Sequence, residues 1–201
     1  MAKNPFATRA ISAGDMCQSV FAVLGRYSAG LVLVIIAVVL LSVVGSSFGW
    51  SDLGSWETSL PLFGNHLNMV SIAELQWHLF ALLVMVSGSY VLQQDRHIRV
   101  DLLSARMSPK GRVTVDLVGD LLFLLPFFGC LAWFSFGYVE NSFLMGEQSN
   151  SGGLIDRYLV KATMPLGAFL LLGCGLGRIL KNVGILFQTD ECASNKARMP
   201  S

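Results

Sequence analysis

The sequence predicts an all-α integral membrane protein with four transmembrane helices and a cytoplasmic-side amphipathic helix between spans two and three. Three observations carry that prediction. Hydrophobic residues make up 53% of the 201 positions and charged residues only 13%, against about 25% charged in soluble domains, and mean hydropathy is +0.59. Four apolar segments approach the roughly 20 helical residues that cross a hydrocarbon core about 30 Å thick. The basic residues, finally, gather in alternate connections between those segments.

The first 27 residues read as a cytoplasmic N-terminal segment. They lack the form of a cleaved leader: the oily run begins near residue 28, and "GSSFGW" offers no small-x-small cleavage site. "MCQ" is preceded by no apolar segment, which argues against a lipoprotein signal. The membrane domain is expected over 28–187. Span one, about 28–48, carries no charge, whereas span two, about 72–92, contains Glu74, Gln76 and His78 near its start. Span three, about 115–139, includes Pro126, expected to kink it. Span four covers about 164–187, with an apolar core ending near Arg178, and 188–201 form a cytoplasmic tail. Ser71 with Glu74 has capping-box spacing. Ser108 followed by Pro109 suits an N-cap and first helical position, and Pro165 suits the opening of span four.

Orientation follows from lysine and arginine. Lys3, Arg9 and Arg26 precede span one; Arg96, Arg99, Arg106, Lys110 and Arg112 lie between two and three; Arg178, Lys181, Lys196 and Arg198 follow the fourth core. Only Arg157 and Lys161 fall on the other side. The positive-inside rule therefore places both termini and the central connection in the cytoplasm. Within that connection Val100, Leu103 and Met107 recur at helical spacing, and Arg99, Arg106 and Lys110 recur on another side. The pattern fits a helix at headgroup level, serving either as an ordinary interfacial element or as a docking surface for a partner.

Signals of catalysis are nearly absent. No GxSxG, HExxH or phosphate-cradling glycine pattern occurs, and Cys17, Cys130, Cys174 and Cys192 form no CxxC pair. A haem held by two histidines would need both at membrane depth, and among His66, His78 and His97 only His78 lies there. A net charge of +1 gives no reason to expect nucleic acid; the lipid bilayer is the expected surrounding. Asp116 and Asp120 stand one turn apart near the cytoplasmic end of span three, and Arg112 four residues before Asp116 permits an ion pair there. Such charge reads either as a structural pair or as an ion site. Glu74 and His78 form a second pair at the outer end of span two, read as a solvated rim contact or as a functional pair. "GCGLG" at 173–177 reads as close helix packing. The halves of the chain lack the internal repeat and midplane acid of a self-contained carrier, so the residues point to a non-catalytic membrane subunit.

Several strings together resemble the small membrane subunit (DctQ-like) of tripartite ATP-independent periplasmic (TRAP) transporters. They are "AELQWHLFALLVMVSGSYVLQQDRHIRVDLL" from Ala73, "ARMSPKGR", "DLLFLLPFF", "GEQSNSGGL" and "YLVKATMPLGAFLLL", within residues 28–180. Their details are most similar to the mannitol/chloroaromatic-type subgroup. The resemblance implies a scaffold subunit of a sodium-coupled importer for an organic acid of the carboxylate or 2-oxo acid class. A large membrane subunit and a periplasmic substrate-binding protein are the implied partners. No cofactor is expected in this chain, and sodium is assigned to the large subunit. The resemblance draws interest to Glu74, Arg96, His97, Arg99 and Asp101 as interface or scaffold residues, and to Glu147 and Ser149 in the periplasmic loop. Other readings remain: a membrane anchor of a respiratory complex, a free-standing small carrier, or an assembly factor.

Overall fold

The computed structural model describes residues 5–94 and 107–197. Helices dominate: α1 (Pro5–Tyr27), α2 (Ala29–Ser47), α3 (Met69–Gln93), α4 (Pro109–Gly119), α5 (Leu125–Leu144), α6 (Tyr158–Lys161) and α7 (Thr163–Ala197). Among the described residues four helical segments are long and apolar enough to cross a membrane: Pro5–Ser47, Met69–Gln93, Pro109–Leu144 and Tyr158–Gln188. The all-α membrane class holds. The amphipathic helix expected around Val100 to Met107 falls almost wholly outside the described residues.

Two features add to the sequence reading. Residues 5–27, for which the sequence suggests no span, form α1. The segment from Pro5 to Ser47 counts 43 residues, about twice the roughly 20 that one crossing needs. Periodicity of apolar residues finds only the uniformly oily second half, α2. A two-stranded antiparallel hairpin, β1 (Asp52–Leu60) with β2 (Gly64–Asn68), joins α2 to α3. Its register shifts between Ser55 and Leu60, so no clean alternation marks it in the sequence.

The chain divides into two compact units. The first gathers Met1–Val23, Ser89–Gly129 and Phe169–Ser201; the second gathers Leu24–Gly88 and Cys130–Ala168. In the first unit α1 lies backbone-close against α7. A Cβ on Gly177 would stand 2.9 Å from the Gln18 nitrogen and the Gly14 carbonyl oxygen, and one on Gly184 would stand 2.9 Å from the Ala7 carbonyl oxygen. Gly173 faces the Phe21 ring and Gly175 meets Leu124. Small residues allow this approach, and van der Waals packing, not water exclusion, holds helices together in lipid.

Local sequence chemistry sets the helix ends. Ser108 caps α4, its hydroxyl accepting from the Gly111 amide with Pro109 at the first position. Ser71 is not the cap of α3. Asn68 takes that place, its side-chain oxygen accepting from the Ser71 amide at 2.7 Å and the Ser71 hydroxyl at 2.9 Å. Upstream of Pro126 the helix widens into a π-turn over Asp120–Leu124, closed by the Leu125 amide on the Asp120 carbonyl. Proline supplies no N–H to the carbonyl four residues back, and the wider turn re-registers the backbone just before it.

Candidate functional site

The second unit contains a loop, residues 145–157, whose shape depends on two carboxylates. Glu74 projects from the first turns of α3, because Met69 starts the helix five residues earlier. Its Oε2 accepts from the Leu154 amide at 2.9 Å, and its Oε1 accepts from the Ser149 hydroxyl. Two of its lone-pair directions are thus fixed by a segment about 80 residues later. Gly153 makes the fit possible, since a Cβ there would stand 2.5 Å from Glu74 Oε2. Asn68 donates to the Gly152 carbonyl at 2.9 Å, and Gly152 itself takes the left-handed region at φ 70°. The loop also ties to the hairpin, with the Ile155 amide donating to the Leu62 carbonyl at 2.9 Å. Leu62 is held at φ 74°, unusual for a residue with a Cβ.

Glu147 organises the other side of the same loop. It accepts from the Ser142 hydroxyl at 2.8 Å and from the Lys161 ammonium, while Arg157 stands 4.0 Å away. Lys161 also lies 4.0 Å from the centroid of the Tyr138 ring, within cation–π range. The Lys161 hydrogen bond, then that from Ser142, holds the Glu147 carboxyl below its ordinary range. Each contact favours the charged form. Backbone bonds complete the arrangement: the Glu147 amide donates to Ser142, and the Arg157 amide to the Glu147 carbonyl.

The sequence pairs Glu74 with His78, and the structure sends their side chains elsewhere. His78 Nδ1 meets the Glu74 backbone oxygen at 2.8 Å, leaving the carboxylate for the loop. Glu74, Glu147 and Ser149 belong to one network of contacts around residues 142–161, which sequence spacing does not show. Arg96, His97, Arg99 and Asp101 lie outside the described residues.

The first unit has its own charged core. Asp120 is 1% exposed and receives both Nε and Nη2 of Arg178, the former at 2.7 Å from Oδ2. Lys181, one turn on, pairs with Asp15 at 2.8 Å. The sequence suggests Arg112 as a partner for Asp116 and names none for Asp120, to which the structure brings Arg178. Gln93 donates to the Ser19 hydroxyl at 3.1 Å, and the Cys174 thiol donates to the Ser89 carbonyl at 3.3 Å.

Among the described residues no group of three or more His, Cys, Asp or Glu side chains could hold a metal ion. The carboxylates at both places are tied into hydrogen bonds that join one helix or loop to another. Chemically the arrangement fixes geometry. Comparison with curated proteins and with solved structures gave no match. The family described as "Tripartite ATP-independent periplasmic transporters, DctQ component" matches residues 31–184, more than three quarters of the chain. That match takes in most of α2, the hairpin, both loop carboxylates and the Asp120–Arg178 pair, and the chain belongs to the DctQ component family of TRAP transporters.

Proposed function

We propose that the chain is the small scaffold subunit of a sodium-coupled TRAP importer for an organic acid of the carboxylate or 2-oxo acid class. Residue details favour the mannitol/chloroaromatic-type subgroup. A periplasmic binding protein delivers the substrate, and the large membrane subunit carries the substrate and sodium sites. The observation that carries a scaffold role is the use of Glu74, Glu147 and Asp120 as internal ties, which leaves them committed to structure. The lysine and arginine distribution supports an inner-membrane orientation with both termini cytoplasmic, and hence the 145–157 loop on the periplasmic side. There Glu147 and Ser149 act indirectly, by shaping the surface the binding protein meets. Arg96, His97, Arg99 and Asp101 are proposed to dock the connection between spans two and three against the large subunit, with Glu74 bracing the opposite end of span two. A respiratory-complex anchor, one of the other readings open to the sequence, has no observation in its favour.

Reconstitution tests the proposal. Proteoliposomes containing the large subunit, the binding protein and this chain should take up an organic acid when a sodium gradient is imposed. Omitting this chain should abolish uptake. Uptake that persists without it, or that ignores sodium, would overturn the corresponding part.

A further inference from the structure

The first unit holds a cavity of about 120 Å³, partly open to its surroundings and lined by Gln18, Leu92, Gln93, Asp116, Arg178, Lys181 and Asn182. Two of its polar atoms lack a hydrogen-bond partner among the described residues: Gln18 Nε2, a donor, and Gln93 Oε1, an acceptor. Gln18 is 5% exposed. A buried amide without a partner is costly, and native structures seldom tolerate one unless something else occupies the site. The two orphan groups have opposite demands, so the missing occupant must both accept and donate.

Charge narrows the class. The lining carries Asp116 beside Arg178 and Lys181, and both cations are already paired, Arg178 with Asp120 and Lys181 with Asp15, which disfavours an ion carrying several negative charges. A bare cation would leave the Gln18 amide unmet. An occupant with both signs fits: an anionic oxygen for Gln18 and Lys181, and an N–H-bearing cation for Gln93 Oε1 in the field of Asp116. Position narrows it further. The cavity lies where helices change from apolar to charged: the run of α3 ends at Leu92, that of α7 ends at Gly177, and span three becomes apolar after Asp120. That transition marks headgroup level.

We propose that this cavity binds the headgroup of a zwitterionic aminophospholipid, phosphate toward Gln18 and Lys181 and ammonium toward Gln93. The lipid steadies the packing of α1, α3 and α7 at that level.

The test uses the full chain, delipidated in detergent, with thermal unfolding followed as dioleoyl phosphatidylethanolamine, phosphatidylcholine or phosphatidylglycerol is added. Free phosphoethanolamine forms a fourth arm. Phosphatidylethanolamine should raise the unfolding temperature more than the other two lipids, since choline has no N–H and glycerol no cation. Free phosphoethanolamine should produce no shift at equal concentration. Gln18→Leu removes the orphan donor at similar volume, so lipid-free stability should not fall. Its apparent affinity for phosphatidylethanolamine should drop about tenfold, the worth of one charge-assisted hydrogen bond. Equal shifts from all three lipids would overturn the proposal, as would an unchanged response in Gln18→Leu. The absence of any lipid-dependent shift would mean that water alone fills the cavity. An equal response to free phosphoethanolamine would reassign the site to a soluble ligand.

Discussion

Asp120 and Arg178 meet through two parallel hydrogen bonds, carboxylate to guanidinium, although 58 residues separate them in the chain. Asp120 sits at the first position of the π-turn and Arg178 in the middle of α7. The pair therefore fixes the register of span three against span four. Removing Arg178 takes both guanidinium hydrogen bonds from a buried carboxylate, and breaking a buried pair costs about 3–5 kcal/mol. Asp120→Ala and Arg178→Ala should each destabilise the chain by that order in detergent unfolding. The double variant should lose clearly less than the two single losses combined. Additive losses would mean that the pair carries no register.

Glu74 is the clamp of the 145–157 loop. Glu74→Ala strips the Leu154 amide and the Ser149 hydroxyl of their acceptor together, and unmet buried donors cost about 1–3 kcal/mol each. Amide exchange at Leu154 should accelerate by at least tenfold, with the α5 interior unaffected. Glu74→Gln keeps one acceptor oxygen and should give an intermediate rate. Unchanged exchange at Leu154 in the alanine variant would contradict the clamp.

The pH dependence of the same loop follows from Glu147. Its carboxyl is held below the ordinary value of 4.5, first by Lys161 and then by Ser142. A carboxyl depressed on folding contributes stability that is fully present above the unfolded value and lost as pH falls through the folded one. Loop stability should therefore be insensitive to this group near neutral pH and decline only below about 4.5. Exchange or proteolysis of residues 145–157 measured across that range should show the decline. Glu147→Gln should abolish this part of the pH response while lowering protection at neutral pH.

Much of this architecture is legible in the sequence, for identifiable reasons. Four spans stand out because lipid demands long apolar helices whatever their neighbours. Ser108 with Pro109 reveals a cap because the contact closes within three residues. The loop network is harder to read: Glu74 reaches a hydroxyl 75 positions away, and nothing in local spacing distinguishes that from a pairing with His78. The hairpin is hidden by its register shift, and its Leu62 adopts a left-handed backbone that no propensity predicts. Helix α1 escapes a hydropathy reading because its stability lies in close contact with α7, whose glycines are visible but whose partner is not.

That contact gives the last prediction. Gly177 leaves room for the Gly14 carbonyl and the Gln18 backbone, and a side chain of any size would force the helices apart. Gly129, by contrast, has nothing within 4 Å of where its Cβ would stand. Alanine at an open helical site removes backbone freedom from the unfolded chain and should be neutral or stabilising by up to about 1 kcal/mol. Gly177→Val should cost about 1–3 kcal/mol through overpacking and loosen α1. Cys17, half-buried beside Gly173 with its thiol 3.4 Å from that carbonyl, reports the loosening directly. Its maleimide labelling, resolved by mass spectrometry from that of exposed Cys130, should quicken several-fold in Gly177→Val and stay at the wild-type rate in Gly129→Ala. Equal labelling in both variants would mean that α1 is held by something other than its close approach to α7.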